Sequence, residues 1–205
     1  MSNETFWRHH HPLVLASQST IRRRLLELAG LQPLAITAKL DERALEARLA
    51  ATTPTALAEA LATAKAAEVS HRFAGHIVIG ADQVLVHAGS LLHKPKDRAS
   101  AKFQIQALSG QTHELISGVA ICRDGHPLST FSSVATLKMR PLSEAFLDLY
   151  LDLTGDDVTR SVGGYQIEGY GIQLFENTAG DHATILGLPM LPLLAFLRDA
   201  GFLLS

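Results

Sequence analysis

Apolar and polar positions along this chain change period between two and about 3.6 residues in short blocks, which is the pattern of an α/β protein. Leu13 to Ala16 is an apolar run that predicts a strand. Thr20 to Ala29, closed by Gly30, predicts a helix, and Pro33 to Thr37 predicts a second strand that leads out to Asp41 and Glu42. The alanine-rich segment Thr55 to Phe73 carries apolar residues on a helical period and predicts the longest helix of the first half. After Gly75, HIVIGAD predicts a buried strand ending on an acid, and VLVHAGSLL predicts two strands joined at Ala88 and Gly89.

Ala99 to Leu108 predicts a helix stopped by the Ser109-Gly110 turn, and Glu114 to Arg123 with Leu128 to Met139 predicts a hairpin about Asp124-Gly125. Ser143 caps a predicted helix running to Leu153, residues 161 to 187 are glycine-rich and read as irregular, and Met190 to Ala200 closes the chain as a helix between Pro189 and Gly201. No internal repeat is visible. The alternation sets strand ends beside helix starts on one sheet edge, where open α/β sheets bind ligands.

At 205 residues the chain can bury a sizeable core, and we expect one domain over residues 13–205 after a tail at residues 1–12. A net charge of -2 argues against a broad nucleic-acid surface, so any phosphate binding is local and no stable nucleic-acid complex is expected. Cys122 is the only cysteine, which excludes an intramolecular disulfide and any multi-cysteine metal site. With no apolar start of signal-peptide length and no apolar run of roughly 18 residues, we expect a cytoplasmic protein without a membrane partner. His9, His10 and His11 suit either an adventitious metal or a polar terminus, disordered or draped on the surface.

The segment LVLASQSTIRRRLL is where a phosphate could be held. The first N–H groups of a helix lack partners within it, and the helix dipole places partial positive charge there. Ser17, Ser19 and Thr20 can cap those donors or bond a phosphate oxygen, and Arg22, Arg23 and Arg24 add charge; a capped helix with a solvated basic turn is the alternative. Asp82, at the end of an apolar run, is either a turn cap or a carboxylate committed to a cation or to catalysis. Asp41 and Glu42 are either a solvated loop or, as carboxylates on a strand end, ligands able to converge with those of another strand end on one magnesium ion. Lys65 and Lys94 are compact charges suited to phosphate and equally ordinary on a surface. In GGYQIEGYGIQLFE the glycines allow close approach of a planar ligand, and Tyr165, Gln166 and Glu168 could read a base edge; a bulged strand with turn glycines is the alternative.

Taken in order, these segments resemble the Maf family of nucleotide pyrophosphatases. The resemblance runs from Leu13 to Gly201 and is carried by Leu15-Ala16-Ser17-Gln18-Ser19, Arg22, Asp41-Glu42, Lys65, Gly80-Ala81-Asp82-Gln83, Lys94-Pro95, Leu108-Ser109-Gly110-Gln111-Thr112-His113, Glu168-Gly169-Tyr170-Gly171 and Gly187-Leu188-Pro189. It implies an inosine triphosphatase-like fold, with an elongated mixed sheet flanked by helices and two lobes around a cleft. It also implies a homodimeric enzyme using magnesium or manganese that cleaves a nucleoside triphosphate between the α and β phosphates.

On that resemblance Ser17, Ser19 and Arg22 grip the triphosphate, and Lys65 and Lys94 neutralise charge in the transition state. Glu42 and Asp82 hold the metal, with Asp82 as general base, while Gln83 and Glu168 contact the substrate. Gln83 and Glu168 resemble the branch acting on 7-methylguanosine triphosphate, whose cationic base a carboxylate complements. Ile21 departs from both branches: the pyrimidine-preferring one has arginine there and the methylguanosine one usually tryptophan. His93 departs from a common glycine. The competing reading is a non-catalytic nucleotide- or nucleic-acid-binding regulator of septum formation, and a phosphatase releasing free phosphate is a third.

Overall fold

A computed structural model describes residues 5–49 and 52–205; residues 1–4 of the expected tail lie outside the described residues. Among the described residues seven strands form one mixed sheet in the order β2 (Leu34–Ala35), β1 (Val14–Ala16), β3 (Val78–His87), β5 (Thr112–Arg123), β6 (His126–Met139), β7 (Phe175–Ala179), with β4 (Ser90–Leu92) paired to β3. The described residues divide into two compact units, one formed by those within 5–83, 117–133 and 187–205 and the other by 84–116 and 134–186.

In the first unit, β1 (Val14–Ala16) is fully buried and pairs in parallel with β2 (Leu34–Ala35) and with the start of β3 (Val78–His87). Helix α1 (Thr20–Leu28) follows β1 directly and is capped by Ser19, whose side chain accepts from the Arg22 N–H. A further helix, α2 (Glu42–Arg48), corrects the expectation that Asp41 and Glu42 lie on the open exit of a strand. The Asp41 carboxylate accepts from the Ala44 N–H and starts a turn of helix that puts Glu42 in its first turn. Helix α3 (Pro54–Arg72) begins where proline is tolerated, after a Thr53 cap.

The close packing of α3 on the sheet has a sequence cause. Ala58, Ala62 and Ala66 form an i, i+4 stripe, and two glycines receive it. A Cβ on Gly80 would sit 2.2 Å from the Ala62 carbonyl oxygen, and one on Gly118 would sit 2.5 Å from that of Ala58. Small faces on both elements let the helix backbone approach the strands, and Val14, Val69, Val78 and Ala120 complete this core. Strand β3 does not stop at Asp82, as HIVIGAD alone suggests, but runs ten residues to His87. An acid inside a strand is tolerated because Lys65 pairs with it.

The tail joins the same unit: Trp7 bridges to Leu203, the Arg8 N–H donates to the Phe202 carbonyl, and the Trp7 indole donates to the His11 carbonyl at 2.8 Å. The rings of His9, His10, His11 and His76 lie in series, neighbouring centroids 4.2 to 4.4 Å apart. Helix α7 (Met190–Asp199) starts after Pro189 and ends at Ala200, before Gly201.

In the second unit, β3 turns through Ala88 and Gly89, both at positive φ, into antiparallel β4 (Ser90–Leu92). Helix α4 (Arg98–Leu108), capped by Asp97, and α5 (Glu144–Thr154), capped by Ser143, cover a core of Leu85, Ile105, Leu137, Leu147, Leu151 and Leu174. Strands β5 (Thr112–Arg123) and β6 (His126–Met139) meet at Asp124-Gly125, and β6 pairs antiparallel with β7 (Phe175–Ala179). Residues 161 to 187 are therefore not wholly irregular. They hold two 3₁₀ turns, strand β7 and the four-residue α6 (His182–Ile185), too short and too glycine-interrupted to show a period.

Candidate functional site

Because side chains alternate along a strand, Gly80 and Asp82 share one face of β3, the face that receives α3. Lys65 lies three residues beyond Ala62 and so projects from the packed side of that helix. The result is an ion-pair triad: the Lys65 ammonium is 2.5 Å from Asp82 Oδ1 and 2.8 Å from Glu42 Oε2. The Lys65 and Asp82 side chains are only 12% and 14% exposed, whereas Glu42 is 54% exposed. Desolvation strengthens the inner pair most, so Lys65 and Asp82 are the fixed members and Glu42 the member open to solvent.

Arg22 is held as firmly. Its Nε donates to the Gly187 carbonyl at 2.8 Å, and its Nη1 donates to the Ala81 carbonyl at 2.7 Å and to Ser17 Oγ at 3.4 Å. Burial lowers its pKa from the ordinary value, while the nearby charges of Asp82 and Glu42 oppose that shift. The guanidinium thus ties the loop after β1, the strand bearing Asp82 and the turn before α7 to one another. Ser17 Oγ also accepts from the Ser19 N–H, and Ser19 Oγ accepts from the Arg22 N–H. Two of the first helix donors are so satisfied within the loop, and among the described residues the Thr20 and Ile21 N–H groups have no hydrogen-bond partner.

Gln83, on the opposite face of β3 from Asp82, donates to Ser117 Oγ at 3.0 Å. Ser117 is fully buried, and nothing in the motif LSGQTH points to a side chain four residues after its histidine. Gly187 stands in the sequence only as part of the Gly187-Leu188-Pro189 motif; in the fold it offers its carbonyl to Arg22. Lys94 and Glu168 belong to the second unit, Lys94 exposed after β4 beside buried Pro95, and Glu168 exposed in the turn before Tyr170.

Among the described residues no cluster of three or more His, Cys, Asp and Glu side chains has metal-holding geometry. Glu42 and Asp82 nevertheless present two carboxylates to one cationic atom, Lys65 Nζ. Two hard oxygen donors fit magnesium or manganese, which fill their remaining positions with waters and phosphate oxygens. No helix among the described residues is long and apolar enough to cross a membrane.

The family described as "Maf-like protein" matches residues 12–200. A nucleoside triphosphate pyrophosphatase of Nitrobacter hamburgensis is 51% identical over 197 residues, covering 96% of this chain and 98% of the relative. One of the same description from Bradyrhizobium diazoefficiens is 52% identical over 193 residues, covering 94% and 96%. A 7-methyl-GTP pyrophosphatase of Rhizobium johnstonii is 52% identical over 191 residues, covering 92% and 96%. With a family match over nearly its whole length and relatives at half identity, the chain whose Lys65 joins Glu42 to Asp82 belongs to the Maf family.

Proposed function

We propose that this protein hydrolyses a nucleoside triphosphate between the α and β phosphates, releasing the nucleoside monophosphate and pyrophosphate, with 7-methyl-GTP among its substrates. The observation that carries the proposal is the Lys65 ammonium seated between the Glu42 and Asp82 carboxylates, next to a helix start with two available N–H donors. The names of relatives at about half identity support the same reaction, and the relative named for 7-methyl-GTP supports the substrate.

The α1 start binds phosphate through the Thr20 and Ile21 N–H groups and the Ser17 and Ser19 hydroxyls, with Arg22 holding that loop in place. A water attacks the α-phosphorus; its proton passes to the Asp82 carboxylate, the bond from the α-phosphorus to the bridging oxygen breaks, and pyrophosphate leaves with that oxygen. Lys65 and Lys94 offset the negative charge that builds on the phosphate oxygens. A magnesium or manganese ion held by Glu42 and Asp82 would lower the pKa of bound water and screen the phosphates. Gln83 and Glu168 contact the substrate, Glu168 accepting from the N1–H and 2-amino edge of a guanine. A cytoplasmic homodimer acting on the nucleotide pool, with residues 13–205 as one catalytic domain, completes the proposal.

Pyrophosphate release measured over a panel of nucleotides, with magnesium or manganese, tests it. Pyrophosphate from 7-methyl-GTP is expected. Free phosphate in its place would make the protein a phosphatase, and no product from any nucleotide would favour the binding regulator.

A further inference from the structure

Glu42 is the exposed member of the Lys65 triad, and the helix that carries it has no buried residue of its own. Its place is therefore set by the chain that enters it. The ladder from β1 to β2 ends where the Ile36 N–H donates to the Leu15 carbonyl at 2.9 Å, and the chain must still cross residues 37–41 to reach Glu42. Along that crossing Ile36 and Ala38 pack on the core of Val14, Val69 and Val78, while the backbone of Thr37 and Lys39 finds its partners on α3. The Lys39 N–H donates to Glu68 Oε2 at 3.0 Å, and Arg72 Nη2 donates to the Thr37 carbonyl at 2.8 Å. Arg72 and Glu68 also lock each other by two contacts, Nε to Oε1 and Nη2 to Oε2, each at 3.0 Å.

An i, i+4 ion pair left in water stabilises a helix little. This pair is only 21% and 34% exposed, and each partner reaches beyond α3 to the backbone of another segment. Stabilisation of α3 accounts for the ion pair but not for those two bonds. A charged group bonded to backbone makes the stronger kind of hydrogen bond, and the bidentate fork fixes the direction of the carboxylate. Glu68 stands three residues after Lys65, on the same side of the helix. One face of α3 so holds both ends of the crossing: residues 37 and 39 through Arg72 and Glu68, and Glu42 through Lys65. The segment is also tied to the loop between β1 and α1, since Gln18 Nε2 donates to Thr37 Oγ1 at 2.8 Å. All of these residues belong to the first unit.

We propose that Glu68 and Arg72 are positioning residues for Glu42: by fixing residues 37–39 they set the start of α2, and with it the carboxylate that shares Lys65 with Asp82 and would hold the divalent cation. The consequence for catalysis rests on the hydrolytic reading above; the placing of Glu42 does not. The parent is compared with Glu68→Ala, Glu68→Gln, Glu42→Gln and the double variant Glu68→Ala/Glu42→Gln, with urea unfolding to establish that each folds. Millisecond hydrogen exchange of the nucleotide-free protein reads the placement. The α2 amides exchange about fivefold faster in Glu68→Ala, as expected for one lost hydrogen bond, and those of α3 exchange as in the parent. Manganese binding without nucleotide, followed by the electron paramagnetic resonance signal of the free ion, reads the consequence. Affinity falls about tenfold in Glu68→Ala, as when a residue supporting a metal ligand is removed, and less in Glu68→Gln, which still accepts from the Lys39 N–H. In the Glu42→Gln background Glu68→Ala lowers affinity no further, because the acid it positions is gone. Pyrophosphate release by Glu68→Ala is slow at low manganese and recovers as manganese is raised, which a loss of folded protein would not do. The inference is overturned if α2 exchanges in Glu68→Ala as in the parent, or if the loss of manganese affinity adds in full to that of Glu42→Gln. A parent that binds no manganese or releases no pyrophosphate overturns the hydrolytic reading alone, and exchange at α2 still decides the placing of Glu42.

Discussion

A Cβ placed on Gly80 would lie 2.2 Å from the Ala62 carbonyl oxygen, so the distance between β3 and α3 is set by the absence of one methyl group. The same approach brings Lys65 to Asp82. Gly80→Ala is therefore expected to push the helix back against backbone that cannot yield, costing about 1–3 kcal/mol of stability and loosening the Lys65 to Asp82 pair. Denaturant unfolding checks the first effect, and pyrophosphate release in the folded variant checks the second.

Asp82→Asn keeps the shape of the side chain and removes the proton acceptor. We expect kcat to fall by about a hundredfold or more with KM changed only modestly. Near-normal turnover would remove Asp82 from the role of base. Lys65→Met is expected to be worse for folding, because it leaves Asp82 at 14% exposure without its closest partner.

Arg22→Lys retains charge and loses the fork. One ammonium cannot reach the Gly187 carbonyl, the Ala81 carbonyl and Ser17 Oγ together, which Nε and Nη1 of the arginine do at 2.8, 2.7 and 3.4 Å. We expect a loss of about 1–3 kcal/mol, since buried carbonyls are left without donors. Thermal unfolding reads the loss, and an unchanged midpoint would limit Arg22 to substrate contact.

Burial, with a smaller contribution from His87, lowers the His113 pKa from 6.5 to about 4. The unfolded chain takes up this proton first as pH falls, so the stabilisation is whole above pH 6.5, is lost between pH 6.5 and pH 4, and changes no further below that. The full loss is about 3 kcal/mol. Urea unfolding of the parent and of His113→Gln across this window isolates the contribution: the parent should lose more stability than the variant, and equal slopes would contradict the assignment.

Ile21 is the residue that parts this chain from both branches it resembles. Ile21→Trp places an aromatic face beside the donors of the α1 start, where a cationic base could stack. A KM for 7-methyl-GTP lower by about two- to fivefold, with no matching gain for UTP, is expected from a partly exposed cation–π contact. An equal change for both would place position 21 away from the base.

The helices with strong caps and the hairpin turns were legible along the chain. Ser19, Ser143 and the Ala88-Gly89 and Asp124-Gly125 pairs mark their elements through chemistry that acts within four residues. Helix α2 and strand β7 were not legible, because seven and five residues carry too few periods to rise above their neighbours. Asp82 shows the same limit from the other side. Its charge marked a strand end, and only the ammonium of Lys65, seventeen residues away, explains why the strand continues.

By itself the sequence determined which residues carry charge and nucleophilic or basic chemistry, where most elements begin and which family the order of motifs resembles. Those properties are local or additive along the chain. Tertiary structure decided which of them act together: Lys65 is shared between two acids, Arg22 is committed to the Gly187 carbonyl 165 residues away, and His113 is sealed against Tyr165 across 52 residues. The reason is physical, since the free energy of a charge or a hydrogen bond depends on burial and partner distance, and both are fixed only by packing, as for Lys65 and Asp82 where α3 settles onto Gly80 and Gly118.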